Sequence, residues 1–147
     1  MTKLGSVDLE IIHLGISKKG PFNETDLARS NLKHLGVGRM LDSLASLKDR
    51  KLLEMNPDGS FAVTDLARHI LWDKKIPTKV RILRLLEIKP SRMEDVSGIL
   101  GESSEDVFAE IEEMRKDQLV LMSPLREEDR LVKMYEILPE GIEAIKK

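Results

Sequence analysis

Residues 37–64 read VGRMLDSLASLKDRKLLEMNPDGSFAVT, and two periods meet inside them. Val37, Met40, Leu41, Leu44 and Leu47 stand at i, i+3, i+4, i+7 and i+10, the spacing of one buried stripe on a helix. The short apolar runs 52–55 and 60–63 then flank Asn56-Pro57-Asp58-Gly59. A Pro-Asp-Gly segment between two such runs predicts a β-hairpin. Thr64 is a good cap for a last helix through Leu66, Ile70 and Leu71.

Toward the N-terminus, Val7, Ile11, Leu14 and Ile12 share a helical face, and Lys18-Lys19-Gly20-Pro21 breaks it. Asn23 opens a short second helix, with Asp26 three residues on as its capping-box partner. The first half therefore reads helix, helix, helix, hairpin, helix.

The second half repeats that order. Residues 78–88 predict a helix through Val80, Ile82, Leu83, Leu85 and Leu86, ended by Lys89-Pro90. Ser91-Arg92-Met93-Glu94 has the S-x-x-E form of a capping box, and Gly101 stops the short helix it opens. Ser103 or Ser104 caps a third helix with Val107, Phe108, Ile111 and Met114 inward. Segments 119–122 and 131–138 predict a second hairpin around a polar loop at 124–130, and Pro139 opens the final helix. At an offset of 67 residues Leu41 falls on Phe108, Leu44 on Ile111, Leu47 on Met114 and Leu52 on Leu119. At an offset of 74, Phe61-Ala62-Val63 falls on Tyr135-Glu136-Ile137 and Ala67 on Gly141. A tandem duplication accounts for this self-similarity.

Tyr135-Glu136-Ile137-Leu138-Pro139-Glu140-Gly141 resembles the wing-to-helix junction of the winged helix-turn-helix family, with Leu138 where that family has threonine. Phe61-Ala62-Val63-Thr64 resembles the same junction; it keeps the threonine and lacks the glycine. The resemblance covers nearly the whole chain. It implies a mainly α protein with small β-hairpins (α+β), built as two tandem winged helix-turn-helix domains over 1–73 and 74–147. Members of the family serve as archaeal and bacterial repressors. Others are protein-binding pairs in transcription, chromosome and membrane-remodelling machinery. Trp72, at the junction between the halves, is expected to be an interdomain packing anchor.

Composition narrows the function. Cysteine is absent, which excludes thiol catalysis, disulfides and the usual structural zinc sites. No apolar run approaches the ~18 residues that span a bilayer, so a soluble, cytoplasmic protein is expected. Aromatics make up 3% of the chain and are scattered, so there is no stacking platform for single strands. His13 follows Glu10 by three residues, but a metal site of that type needs a second such pair and more carboxylates. His34 and His69 have no nucleophile nearby, and Gly36-Val37-Gly38 is too short for a phosphate loop. No enzyme site, metal or cofactor is expected. Lys and Arg outnumber Asp and Glu 12 to 10 over residues 1–75, and trail them 12 to 16 over 76–147. The halves should do different work.

In this fold the third helix enters the major groove. Opposite the stripe of the first third helix lie Arg39, Asp42, Ser43, Ser46 and Arg50, a mildly positive set. Arginine and serine are good donors to guanine and phosphate. Lys18, Lys19, Lys33 and His34 in nearby turns can reach phosphates. The matching face of the second repeat is Asp106, Ala109, Glu110, Glu113 and Asp117, an acidic stripe that phosphates repel. The expected function is a regulator binding duplex DNA mainly through the first domain. The alternative is a protein-interaction module, with Asp106, Glu110, Glu113 and Asp117 meeting a basic protein partner. Homodimerisation fits either reading.

Overall fold

The computed structural model describes residues 4–30, 32 and 34–146. Among these the order is α1 (Ser6–Lys18), α2 (Glu24–Ala28), α3 (Val37–Asp49), β1 (Leu53–Met55), β2 (Phe61–Val63), α4 (Asp65–Leu71), α5 (Thr78–Ile88), α6 (Met93–Leu100), α7 (Ser104–Lys116), β3 (Val120–Glu127), β4 (Arg130–Ile137) and α8 (Pro139–Ile145). Helices with two small antiparallel hairpins fit the winged-helix fold. The chain divides into two compact units, Met1–His69 and Ile70–Lys147.

In the first unit, Leu9, Ile11 and Ile12 of α1, Leu27 of α2 and Met40, Leu44 and Leu47 of α3 are buried with Leu52, Leu53 and Phe61. Asn23 and Asp26 form the reciprocal capping box: the Asn23 N–H donates to Asp26 Oδ2 at 2.9 Å, and the Asp26 N–H donates to Asn23 Oδ1 at 3.0 Å. Phe22 exchanges two backbone hydrogen bonds with Phe61, at 2.9 and 2.7 Å, which adds a one-residue third strand to the β1–β2 hairpin.

In the second unit, Ile82, Leu83, Leu85 and Leu86 of α5 are buried with Val96 and Leu100 of α6, Val107, Ile111 and Met114 of α7, and Tyr135. Ser91 exchanges two backbone bonds with Tyr135, both 2.9 Å, as Phe22 does with Phe61. That pairing corrects the capping-box expectation. Ser91 is only 1% exposed and its hydroxyl donates to the Lys89 carbonyl at 3.1 Å, so α6 starts at Met93 with Arg92 as its cap residue. The polar-loop expectation at 124–130 is also corrected. β3 and β4 are each eight residues long and pair from Val120↔Ile137 to Glu127↔Arg130, leaving a two-residue turn at Glu128 and Asp129.

The helix-to-hairpin turn has the same bonding in both units. After α3, the Leu52 N–H donates to the Leu47 carbonyl at 2.9 Å with Lys51 left-handed at φ 64°. After α7, the Leu119 N–H donates to the Met114 carbonyl at 2.9 Å with Gln118 at φ 62°. Each closes the last helical turn around a left-handed residue.

Gly141 shows how tightly the second hairpin meets α8. A Cβ there would lie 2.5 Å from the Leu119 carbonyl oxygen and 2.7 Å from Ile137 Cγ1. Backbone cannot step aside as a flexible side chain does, so Gly141→Ala should cost about 1–3 kcal/mol. Denaturant melts of the two proteins would check it, and an unchanged midpoint would show that the junction has slack.

Four residues expected in the core are not there. Val37 is 72% exposed, Leu41 44%, Leu66 53% and Phe108 44%. The stripe that packs in α3 is Met40, Leu44 and Leu47, and in α7 it is Val107, Ile111 and Met114. An i, i+4, i+7 row is narrow, and it turns the next apolar position on one side out to solvent.

Candidate nucleic-acid and partner surfaces

The sequence-predicted cations of the first unit end up in different circumstances. Arg39 is exposed in the first turn of α3, and Ser46 is exposed near its end. Ser43 is half-buried. Arg50 follows α3 and donates from Nη2 to Asp8 Oδ2 of α1 at 2.9 Å. Without Arg50, the charged side chains that α3 exposes are Arg39 and Lys48 against Asp42 and Asp49, a neutral set. Lys18 is paired with Asp26. That hydrogen bond from Lys18, followed by the one from the Asn23 backbone, holds the Asp26 carboxyl below its usual range. Lys19 is the left-handed residue that ends α1, and His34 is exposed ahead of α3. Lys33 lies outside the described residues. Among the described residues Lys19, His34 and Arg39 have no ion-pair partner.

On α7, Asp106, Glu113 and Asp117 are exposed and Glu110 is half-buried. Ser103 caps the helix, accepting from the Asp106 N–H at 3.1 Å. Glu112 is taken by Arg115 at 2.8 Å. Among the described residues no ion pair is formed by Asp106, Glu110, Glu113 or Asp117, although Lys116 is exposed beside Glu113 and Asp117 in the last turn.

Two surface cavities adjoin the third helices. In the first unit a cavity of about 350 Å³ between α2 and α3 is lined by Ala28, Leu35, Val37, Met40 and Leu41, with Glu24 at its edge. In the second unit one of about 360 Å³ lies between the start of α6, Phe108 of α7 and β4, with Arg92, Arg130, Leu131, Lys133 and Tyr135 around it. Neither was anticipated, because each depends on Leu41 or Phe108 pointing outward. Burial, the largest influence, raises the Tyr135 phenol above its ordinary value.

At the other end of α6 sits a clamp that the sequence reading also missed. Arg81 is 1% exposed. Its Nε donates to the Leu71 carbonyl at 2.6 Å, Nη2 to the Leu100 carbonyl at 2.8 Å and Nη1 to Glu102 Oε1 at 3.1 Å. Leu71 and Leu100 are the last residues of α4 and α6, whose terminal carbonyls have no partner within the helix. Trp72 is half-buried and donates from Nε1 to the neighbouring Ile99 carbonyl at 2.7 Å, inside the same unit. Lys74 donates to the Gly101 carbonyl at 3.1 Å.

Among the described residues no group of three or more His, Cys, Asp and Glu is placed to hold a metal ion. No described helix is long and apolar enough to cross a membrane. No family model matches the chain, and no curated protein matches it. Among solved structures it is similar to ZitR of Lactococcus lactis, described as a zinc-responsive member of the MarR family. The two are 14% identical with a TM-score of 0.43, over 76% of this chain and 72% of that one.

Proposed function

We propose that the chain is a DNA-binding regulator made of two tandem winged-helix domains, 1–73 and 74–147, which contacts duplex DNA mainly through the first. The observation that supports it most is the contrast between the third helices. Within the helices, α3 exposes Arg39 and Lys48 against Asp42 and Asp49, a neutral set, whereas α7 exposes Glu105, Asp106 and Glu113 against Lys116, an acidic one. A duplex carries about one negative charge per 1.7 Å of axis, so only the first helix can approach it without repulsion. The matched bonding after α3 and α7, and the matched Phe22–Phe61 and Ser91–Tyr135 pairs, support the tandem arrangement. Lys19 and His34 supply further phosphate donors. Lys18 and Arg50, tied to Asp26 and Asp8, would have to leave a carboxylate to contribute. With so few cations, binding should be weak and have a shallow salt slope. No catalytic role is assigned.

Titration of a mixed-sequence duplex at ~50 and ~200 mM salt tests the reading, since electrostatic attraction is least screened in the first. Binding should be present at the lower salt and weaken modestly at the higher. Arg39→Glu should reduce affinity by about 1–3 kcal/mol for the lost contact, and further through repulsion. Full affinity in that variant would remove α3 as the reader.

A second reading has its own support. The stripe of Asp106, Glu110, Glu113 and Asp117 is a surface for a basic protein partner. Glu110→Lys with Glu113→Lys should abolish such an interaction and leave DNA binding intact or stronger.

A further inference from the structure

The wing of the second unit ends in an open strand edge beside an apolar, cationic groove. Tyr135 exchanges both its backbone bonds with Ser91, so at that residue β4 turns its N–H and C=O away from β3. In an antiparallel pair this direction alternates with period two. Lys133 and Leu131 therefore also point their backbone groups outward. Pro124 agrees with this: it stands opposite Lys133 in the register, at a position where β3 needs no N–H for the ladder. After Ser91 the chain turns into α6 at Met93, and among the described residues no backbone bond covers Lys133 or Leu131 on that side.

The side chains around this edge share a chemistry. Phe108 is 44% exposed and Leu131 72%, two large apolar groups in solvent. Arg130 and Lys133 are exposed, and neither has an ion-pair partner among the described residues. Arg92 spans toward the wing tip and holds Glu127 at 3.0 Å. That carboxylate, with Asp95, raises the Arg92 guanidinium above its ordinary value. Glu94 is the single acid among the residues lining the cavity. On α7, Phe108 lies about half a helical turn from Asp106 and Glu110, off that stripe. Its one-turn neighbours are the exposed Glu105 and the half-buried Glu112, the latter held by Arg115 at 2.8 Å.

The geometry points to a docking site for an extended peptide segment of a partner protein, apolar and acidic in composition, that adds as a strand to the β4 edge at Leu131 and Lys133. Backbone pairing would supply affinity and alternate side chains specificity. An apolar residue covers Phe108 and Leu131, and carboxylates meet Lys133, Arg130 and Arg92, with Arg92 exchanging Glu127 for the incoming acid. Duplex DNA fits this edge less well. Its apolar groups are thymine methyls inside the major groove, and it has no peptide backbone to pair with the outward N–H and C=O groups of Leu131 and Lys133. A small ligand would leave much of the groove in water, whereas such sites bury most of what they bind. The inference does not rest on the DNA reading, which is tested on Arg39 of the first unit.

The test is selection of phage-displayed random twelve-residue peptides on the full chain, followed by affinity measurement of the winning peptide. Enrichment of Asp or Glu together with Leu, Phe or Trp is expected. Phe108→Ser and Lys133→Glu should each weaken the selected peptide about tenfold or more, as truncation of an anchor does. Leu131→Pro removes an outward N–H without touching the β3–β4 ladder, and it should have the same effect. Phe108 and Lys133 are exposed, so those variants should stay folded, with at most a modest drop in Tm for Phe108→Ser, and remain decisive if Leu131→Pro misfolds. No enrichment, basic winners, or an affinity unmoved by Phe108→Ser and Lys133→Glu would overturn the proposal. So would loss of duplex binding, rather than peptide binding, in the same two variants.

Discussion

Arg81→Ala is expected to cost about 2–6 kcal/mol, chiefly because it leaves the two buried carbonyls of Leu71 and Leu100 without a donor. A domain has ~5–15 kcal/mol in total, so the second unit should lose much of its folded population at 37 °C. The loss has more than one source. Glu102 keeps Lys74, at 2.6 Å, but loses its buried partner. The Leu71 and Leu100 carbonyls lose their donor in a place that water does not reach. Each unsatisfied buried acceptor costs about 1–3 kcal/mol. Arg81→Lys should recover only part of the deficit, because one ammonium cannot span two helix ends and a carboxylate as a planar guanidinium does. Circular dichroism melts of the three proteins measure this, and equal stability of the parent and Arg81→Ala would show that the clamp adds nothing.

The same clamp has a pH signature. Glu102 is held below the usual carboxylate range, first by the hydrogen bond from Lys74 and then by that from Arg81, with burial opposing. A carboxyl whose folded value is depressed binds fewer protons folded than unfolded above that value. Its contribution is complete above the ordinary carboxylate range and is lost as pH falls through the depressed folded value. Arg81→Ala should therefore remove the Arg81 part of this acid sensitivity, so stability falls somewhat less steeply on acidification, while the larger part supplied by Lys74 remains.

Local chemistry accounts for what was legible in the sequence. The capping pair Asn23–Asp26, the Ser103 cap, the left-handed Gly101 after α6 and Pro139 at the start of α8 each need only residues a few positions apart. The turn at Gly59, φ 88°, is of the same kind. What was missed depends on partners distant in sequence. Ser91 has the spacing of a cap, but Tyr135 claims its backbone for a strand. Residues 124–127 look like a polar loop, yet they pair with 130–133 because a hairpin that projects from the core needs no alternation of apolar residues. Arg81 left one faint sign: it stands four residues before Leu85 and beside Ile82, in a row that is otherwise apolar and buried. Arg50 gave none, since Asp8 is 42 residues away. The candidate DNA surface was legible as residue types on a helix. Its charge was not, because an ion pair across the fold removes one arginine from it.

Which side of each third helix packs is tested by comparing neighbours one turn apart. Leu44 is 2% exposed and Ile111 0%, so Leu44→Ala and Ile111→Ala should each cost about 2–5 kcal/mol through lost burial and a residual cavity. Leu41 and Phe108, three positions earlier, are both 44% exposed. They already contact water, and truncation leaves an indentation rather than a void, so Leu41→Ala and Phe108→Ala should each cost no more than about 1 kcal/mol. The sequence periodicity alone treats all four as core and predicts four large losses of similar size. Chemical denaturation with native-state hydrogen exchange separates the cases: protection should collapse around α3 in Leu44→Ala and around α7 in Ile111→Ala, and survive in the other two. A large loss in Leu41→Ala or Phe108→Ala would mean that the helix is rotated in solution. The exposed apolar position that opens the groove beside β4 would then not exist.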